Sequence, residues 1–293
     1  MAGILTIAPG SPDWWLSPDI WVTPLGRPTS PPGTANPIAG EAYNVSVRVH
    51  DNYPDPVPGG SWDLFVCWAI PTTGPIPVPT AAGQILNNAP VAVNVPGMSA
   101  VIVQTATTWT PSFENGGHEC LVAAAYSIGA DGLPPILDGN PKTQAYEQGT
   151  VSVAQHNLGV LSLGMIGGMR TGIRYRFQVC NGFDEEREFV VRAQQAPLSQ
   201  IEHFLPGVPG GRILLDRPGK VERLGLVASA KPDPKELEAA PAVLPRVRIA
   251  PRSCRQFTLG GSLERGNALI NVIQSHGERV VGGLSVLVMS EVK

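Results

Sequence analysis

Few side chains in this sequence are grouped as chemistry would require. Its four cysteines are Cys67, Cys120, Cys180 and Cys254. None forms a C-x-x-C or paired Cys/His spacing, and His118-Glu119-Cys120 would point to alternate faces of a strand, so no metal centre is implied. Nor do four cysteines in so long a chain make the disulfide framework of a small secreted domain. The plainer reading is buried free thiols, and the sharper one is a bridge within each half. A serine nucleophile would need a G-x-S-x-G elbow, which is absent; Gly59-Gly60-Ser61 and Gly260-Gly261-Ser262 read as turns. Gly164-x-x-Gly167-Gly168 precedes neither a helix nor a Lys-Ser/Thr pair, so it is no phosphate cradle. Asp51-Asn52-Tyr53-Pro54-Asp55 offers oxygen ligands that would suit calcium between strands, but such a cluster after a strand is mostly a turn. The expectation is a protein that is not an enzyme and has no catalytic residues, no metal site and no cofactor other than that calcium.

Recognition chemistry is better represented. Ile4, Leu5 and Ile7 lie in an apolar β-prone start, and Trp14, Trp15 and Trp21 follow a Pro/Gly break. Exposed and coplanar, the tryptophans would stack on sugar rings. Against a neighbouring subunit they would act as interface anchors, and otherwise they belong to their own domain's core. These six residues are the interface or ligand candidates. The segment is too short to be stable alone, so it adds a strand to a sheet edge, either on a second copy or as the first strand of its own sandwich.

The surrounding elements must be strands. Gly (33) and Pro (30) together exceed a fifth of the 293 residues, which disfavours helical bundles, while 43% apolar residues suffice for a core. Tyr43, Val45, Val47 and Val49 alternate with Asn44, Ser46, Arg48 and His50, the pattern of a half-buried strand. Ser61–Ile70, whose Leu64–Ile70 run is apolar on both faces, suits a central strand. Further strands fit 91–95, 100–109 and 119–127, with a Gly/Pro/Asp loop at 128–141. The second half reads as strands at 151–154, 160–163, 173–180, 186–193, 211–215, 220–228, 246–249, 255–259, 268–274 and 280–292. Asp233-Pro234-Lys235-Glu236 has an N-cap acid, Pro at N1 and Glu at N3, so a short helix runs to about Ala240 before Pro241 stops it. Ser199-Gln200-Ile201-Glu202 has a weaker capping pattern that fits helix or extended chain equally. Tyr43 to Val49 and Tyr175-x-Phe177-x-Val179 read as equivalent early strands of two related folds.

Charge divides the chain near residue 150. Residues 1–150 hold eleven acids and three bases, a net −8, which leaves 13 acids and 18 bases, or +5, for the rest of a chain whose total is −3. All six Trp and 21 of the 30 Pro also fall in the first part. The expected organisation is an N-terminal arm and first strand at 1–40, an acidic Trp-rich sandwich at 41–148 and a basic sandwich at 149–293. The arginines of the second half form no run interleaved with aromatics, so no nucleic-acid partner is expected. The longest apolar runs are far too short for a membrane helix, and no insertion is expected. The amino terminus lacks the basic and apolar regions of a signal peptide.

Ser17-Pro18-Asp19-Ile20-Trp21-Val22, then Tyr43 to Asp51, Cys67-Trp68-Ala69 and Gly117 to Ala123 together resemble bacterial immunoglobulin-like domains of the CARDB kind, over roughly residues 13–140. Gly282 to Val288 looks like the last strand of a second such sandwich. The resemblance implies an all-β chain of two tandem antiparallel immunoglobulin-like sandwiches with an extended N-terminal arm. It carries no catalytic residues, and Val45–Val49 lacks the Cys that an antibody-type bridge to Cys120 would need. The expected function is a structural subunit of an extracellular or cell-surface fibre or similar repeating assembly. It would be a homo-oligomer or polymer joined head to tail through complementary charged ends. The alternative is a carbohydrate-binding or adhesive accessory module with a polysaccharide partner.

Overall fold

The computed structural model of the chain describes residues 5–8, 15–27, 40–54, 63–69, 73, 91–92, 94–111, 120–126, 152–156, 158–163, 165–166, 169–170, 172–207 and 217–290. It is an all-β fold with two compact units. The first comprises Met1–Ala69, Ile76–Pro111 and Cys120–His156; the second comprises Ile70–Pro75, Ser112–Glu119 and Asn157–Lys293.

The first unit contains β1 (Leu5–Thr6), β2 (Ile20–Pro24), β3 (Tyr43–Asp51), β4 (Asp63–Ala69), β5 (Val91–Ala92), β6 (Ser99–Gln104), β7 (Cys120–Tyr126) and β8 (Ser152–His156). The alternation in β3 buries Tyr43, Val45, Val47 and Val49 as a period-2 pattern requires. One edge of β3 receives β2 (Ile20 opposite Val47) and then β1 (Leu5 opposite Asp51), while the other receives β6 (Val47 opposite Val103). The second sheet runs β5-β4-β7-β8. Leu64, Val66, Leu121, Ala123 and Ala125 meet the β3 valines in a single core. In immunoglobulin terms this is A-B-E packed on C-F-G. The strand expected at 100–109 stops at Gln104, because the Thr105 hydroxyl donates to the Thr107 carbonyl (2.8 Å) and turns the chain.

The second unit contains β9 (Leu158–Leu163), β10 (Met165–Ile166), β11 (Met169–Arg170), β12 (Ile173–Asn181), β13 (Arg187–Ala196), a 3₁₀ helix (Leu198–Gly207), β14 (Val221–Val227), α1 (Pro234–Ala239), β15 (Val243–Ile249), β16 (Ser253–Leu263), β17 (Asn267–His276) and β18 (Arg279–Ser290). Sheets β12-β16-β14 and β15-β13-β17-β18-β9 enclose a core that includes Tyr175, Phe177, Phe189, Phe257, Ile270 and Val286. β12 takes the place that β3 has in the first unit: each presents a Tyr and alternate apolar residues to the core, and each pairs with an E-like strand, β16 or β6.

The units differ at the other edge of that strand. In the first, β2 fills it. In the second, β9 instead runs parallel to β18 (Val286 opposite Gly159), an exception to the expected antiparallel pairing. The edge of β12 is met by Thr73. Its N–H donates to the Gln178 carbonyl (3.0 Å) and its hydroxyl to Gln274 Oε1 (2.8 Å), and Gln274 Nε2 donates to the Cys180 carbonyl (2.8 Å).

α1 forms as its sequence specifies. The Asp233 carboxylate accepts from the Lys235 N–H (2.7 Å), Pro234 sits in the first turn, and the helix ends before Pro241. Leu237 rests where a side chain on Gly260 would project, 2.3 Å from an ideal Cβ, so this glycine lets the helix approach β16. Residues 199–202 lie in the 3₁₀ helix. The strand expected at 211–215 and the loop at 128–141 lie outside the described residues.

Candidate functional site

Just ahead of β2 the chain buries a carboxylate. Asp19 is 2% exposed. Its Oδ2 accepts from the Ala8 N–H (2.8 Å) and lies 2.6 Å from His50 Nε2, while Arg48 Nη1 donates to its Oδ1 (3.4 Å). The Ser17 hydroxyl donates to the Ala8 carbonyl (2.6 Å) and accepts from the Asp19 N–H (3.2 Å). Arg48 and His50 are both on β3, two residues apart and therefore on one face. Asp19 thus pins the chain after β1 to the strand that β1 and β2 flank. A buried carboxylate needs paired charge and donors, and here both are supplied.

Four of the six sequence candidates are described. Leu5, Ile7, Trp15 and Trp21 are all 1% exposed or less within the first unit, and Leu5 and Ile7 join its core. Arg48 covers the Trp21 ring at 5.5 Å. In this chain these rings and aliphatic side chains offer no face to a sugar ring. Ile4 and Trp14 lie outside the described residues. In the Asp51–Pro54 turn, Asp51 Oδ1 accepts from the Tyr53 N–H (2.9 Å), whereas Oδ2 is buried with no hydrogen-bond partner among the described residues. Asp55 lies outside the described residues, among which no three metal-ligating side chains converge.

The cysteines behave differently in the two units. Cys67 on β4 and Cys120 on β7 are buried thiols outside any disulfide and two positions out of register, with Cys67 opposite Val122 and Cys120 opposite Ala69. This matches the expectation of buried thiols. Burial pushes the Cys67 thiol from 9.0 to about 12; burial, and then proximity to Cys67, push Cys120 well above 9.0. For Cys180 and Cys254 the reading as free thiols is overturned and the alternative of a bridge within the half holds: they are a disulfide, whereas Cys67 and Cys120 are not. The β12–β16 register places them directly opposite, with Cα atoms 4.1 Å apart.

Native protein without reductant should therefore show almost no rapid thiol labelling, and after denaturation two thiols per chain should react. The raised values also give a sign to alkaline stability. The unfolded thiols ionise first, so the contribution of the neutral forms is complete below 9.0 and is lost as pH rises toward about 12. The slope is about 1.4 kcal/mol per pH unit for each thiol. Melting of the first unit should fall more steeply above pH 9.0 than in a Cys67→Ala/Cys120→Ala variant.

Sequence reasoning missed Asp19, Thr73, Gln274 and Asn181. Asn181 is fully buried; its Nδ2 donates to the carbonyls of Glu185 (2.7 Å), Ile249 (3.0 Å) and Ala250 (3.1 Å), and its Oδ1 accepts from the Phe183 N–H (3.0 Å). Only Ser17-Pro18-Asp19 carried a signal, and it read as a packing motif.

No family model and no curated protein matches the chain. Among solved structures, the chain is similar to a mutant of the enterotoxigenic E. coli CFA/I adhesin CfaE, with 11% identity, 100% of this chain and 92% of that chain covered, and a TM-score of 0.23. The CupB6 tip adhesin of Pseudomonas aeruginosa gives 10% identity, coverage of 99% and 98%, and a TM-score of 0.21. The C-terminal domain of the Streptococcus pyogenes antigen I/II-family protein AspA gives 8%, coverage of 99% and 99%, and 0.21. Scores this low carry no structural argument, and the fold description rests on the strand pairing itself.

Proposed function

We propose that this chain is a structural subunit of an extracellular or cell-surface assembly, acting through a surface rather than through a reactive centre. The observation that carries this reading is a contrast between inside and outside. The buried carboxylate of Asp19 and the amides of Asn181 and Gln274 are engaged in holding strands and turns together. On the outside, β6 presents an uncharged edge with no second strand partner among the described residues. The Cys180–Cys254 disulfide supports an oxidising compartment, where such bonds persist.

Light scattering and negative-stain microscopy of the oxidised 293-residue chain test the reading. Concentration-dependent association into discrete particles is the expected result. A species that stays monomeric across salt and protein concentration overturns it.

A further inference from the structure

Among the described residues the outer edge of β6 has no strand partner, and its sequence carries nothing that would discourage one. Ser99-Ala100-Val101-Ile102-Val103-Gln104 contains no charge and no proline. β14 carries exposed Glu222 and Arg223, and β15 carries Pro245 with exposed Arg246 and Arg248, devices that discourage edge-to-edge pairing. The edge of β12 is met by Thr73. β6 has none of these protections. It alternates as an edge strand should, with Val101 and Val103 packed on the core and Ala100, Ile102 and Gln104 exposed. Ile102 is 49% exposed and Met98, just before the strand, is 69% exposed.

The turn leading into β6 is rigidly held. Met98 has φ +53°, an uncommon conformation for a non-glycine residue, and its N–H donates to the Tyr53 carbonyl (2.7 Å). Gly97 permits this because an added Cβ would lie 2.0 Å from the Pro54 carbonyl oxygen. The Ser99 hydroxyl closes the turn on the Pro96 carbonyl (2.6 Å). An exposed methionine and isoleucine thus lie beside a row of backbone groups that no strand pairs among the described residues.

We infer that β6 is a homotypic contact, pairing antiparallel with β6 of a second copy about a two-fold axis normal to the sheet. This rests on the assembly reading above and names the surface, although a two-fold contact differs from the head-to-tail contact expected from charge polarity. A second copy is the occupant because the edge is self-complementary: without charge it meets no like charge when paired with itself. Register follows from the faces. Such an axis keeps each side chain on its own side of the sheet, so facing residues must have the same parity. The register centred on the exposed isoleucine sets Ile102 against the partner's Ile102 and Ala100 against the partner's Gln104. Val101 then meets the partner's Val103, continuing the core layer into an extended sheet. A contact of one short strand is small, so the dimer is weak and depends on concentration.

Sedimentation of the 293-residue chain over a series up to about 1 mM, with Ile102→Lys beside it, provides the first test. The native chain should dimerise. Ile102→Lys should weaken association at least about tenfold by facing two cations across the axis, with an unchanged melting temperature because the site is exposed. Ile102→Cys should give a disulfide-linked dimer on mild oxidation, whereas Ala100→Cys, displaced from its own copy, should not. The Cys67 and Cys120 thiols are buried and do not compete. Assemblies that persist in Ile102→Lys, or absent cross-linking at position 102, overturn the edge contact and leave the assembly reading standing. A monomer throughout overturns both.

Discussion

Replacing Asp19 with alanine should destabilise the first unit by about 3 kcal/mol and release the segment that precedes β2. The magnitude follows from removing one partner of a buried charged network, where the loss exceeds that of a surface ion pair. The Ala8 N–H loses its acceptor, and Arg48 and His50 lose the carboxylate that both approach. Both partner side chains are about a third exposed (32% and 30%), so water recovers part of the loss, which keeps the expected value below the largest seen for buried pairs. For a unit of this size the melting temperature should fall by roughly 6–12 °C. Limited proteolysis should cut the first residues before the remainder unfolds. Asp19→Asn, which keeps an acceptor for Ala8 but loses the charge, should fall between the two. An unchanged melt with the arm still protected would falsify the pin.

An effect at least as large is expected in the second unit on substituting Asn181. Asn181→Ala leaves three carbonyls and one N–H without their partner beneath the turn that joins β12 to β13, and the expected loss is about 3–5 kcal/mol. The diagnostic variant is Asn181→Asp. It matches the shape and can still accept from the Phe183 N–H, but it has no donors and sets a negative oxygen against three carbonyls. It should therefore be no more stable than the alanine variant. Near-native melting of Asn181→Asp would show that shape, not donation, matters at this position.

These two residues also mark where reading the sequence stops. The alternation from Tyr43 to Val49 identifies β3 because burial on one face is a local consequence of period 2. Asp233-Pro234 identifies α1 because an N-cap needs only its own next residues. Asp19 is different. Its role exists only when β2 and β3 pair in one register and bring Arg48 and His50 under the same carboxylate. Asn181 is the last residue of β12, one position beyond the strand expected at 173–180, and two of its bonds reach residues 249 and 250. The Cys180–Cys254 bridge spans 74 residues and depends on the β12–β16 register, which no spacing rule encodes. The parallel pairing of β9 with β18 was hidden for the same reason: an apolar strand carries no mark of its neighbour's direction.

The hydrogen bond from Thr73 to Gln274 joins residues 201 positions apart. On the ribosome, at about 5–20 residues per second, the threonine is made roughly 10–40 s before the glutamine that receives it. The second unit therefore has a component that is synthesised early and must wait for most of the chain. A fragment beginning at residue 157 would lack it and would present the bare rim of β12 to other chains. Inheritance of the two halves is coupled in the same way: a gene cut near residue 150 would transfer the bulk of the second sandwich to a new context without the threonine that bonds to the edge of β12.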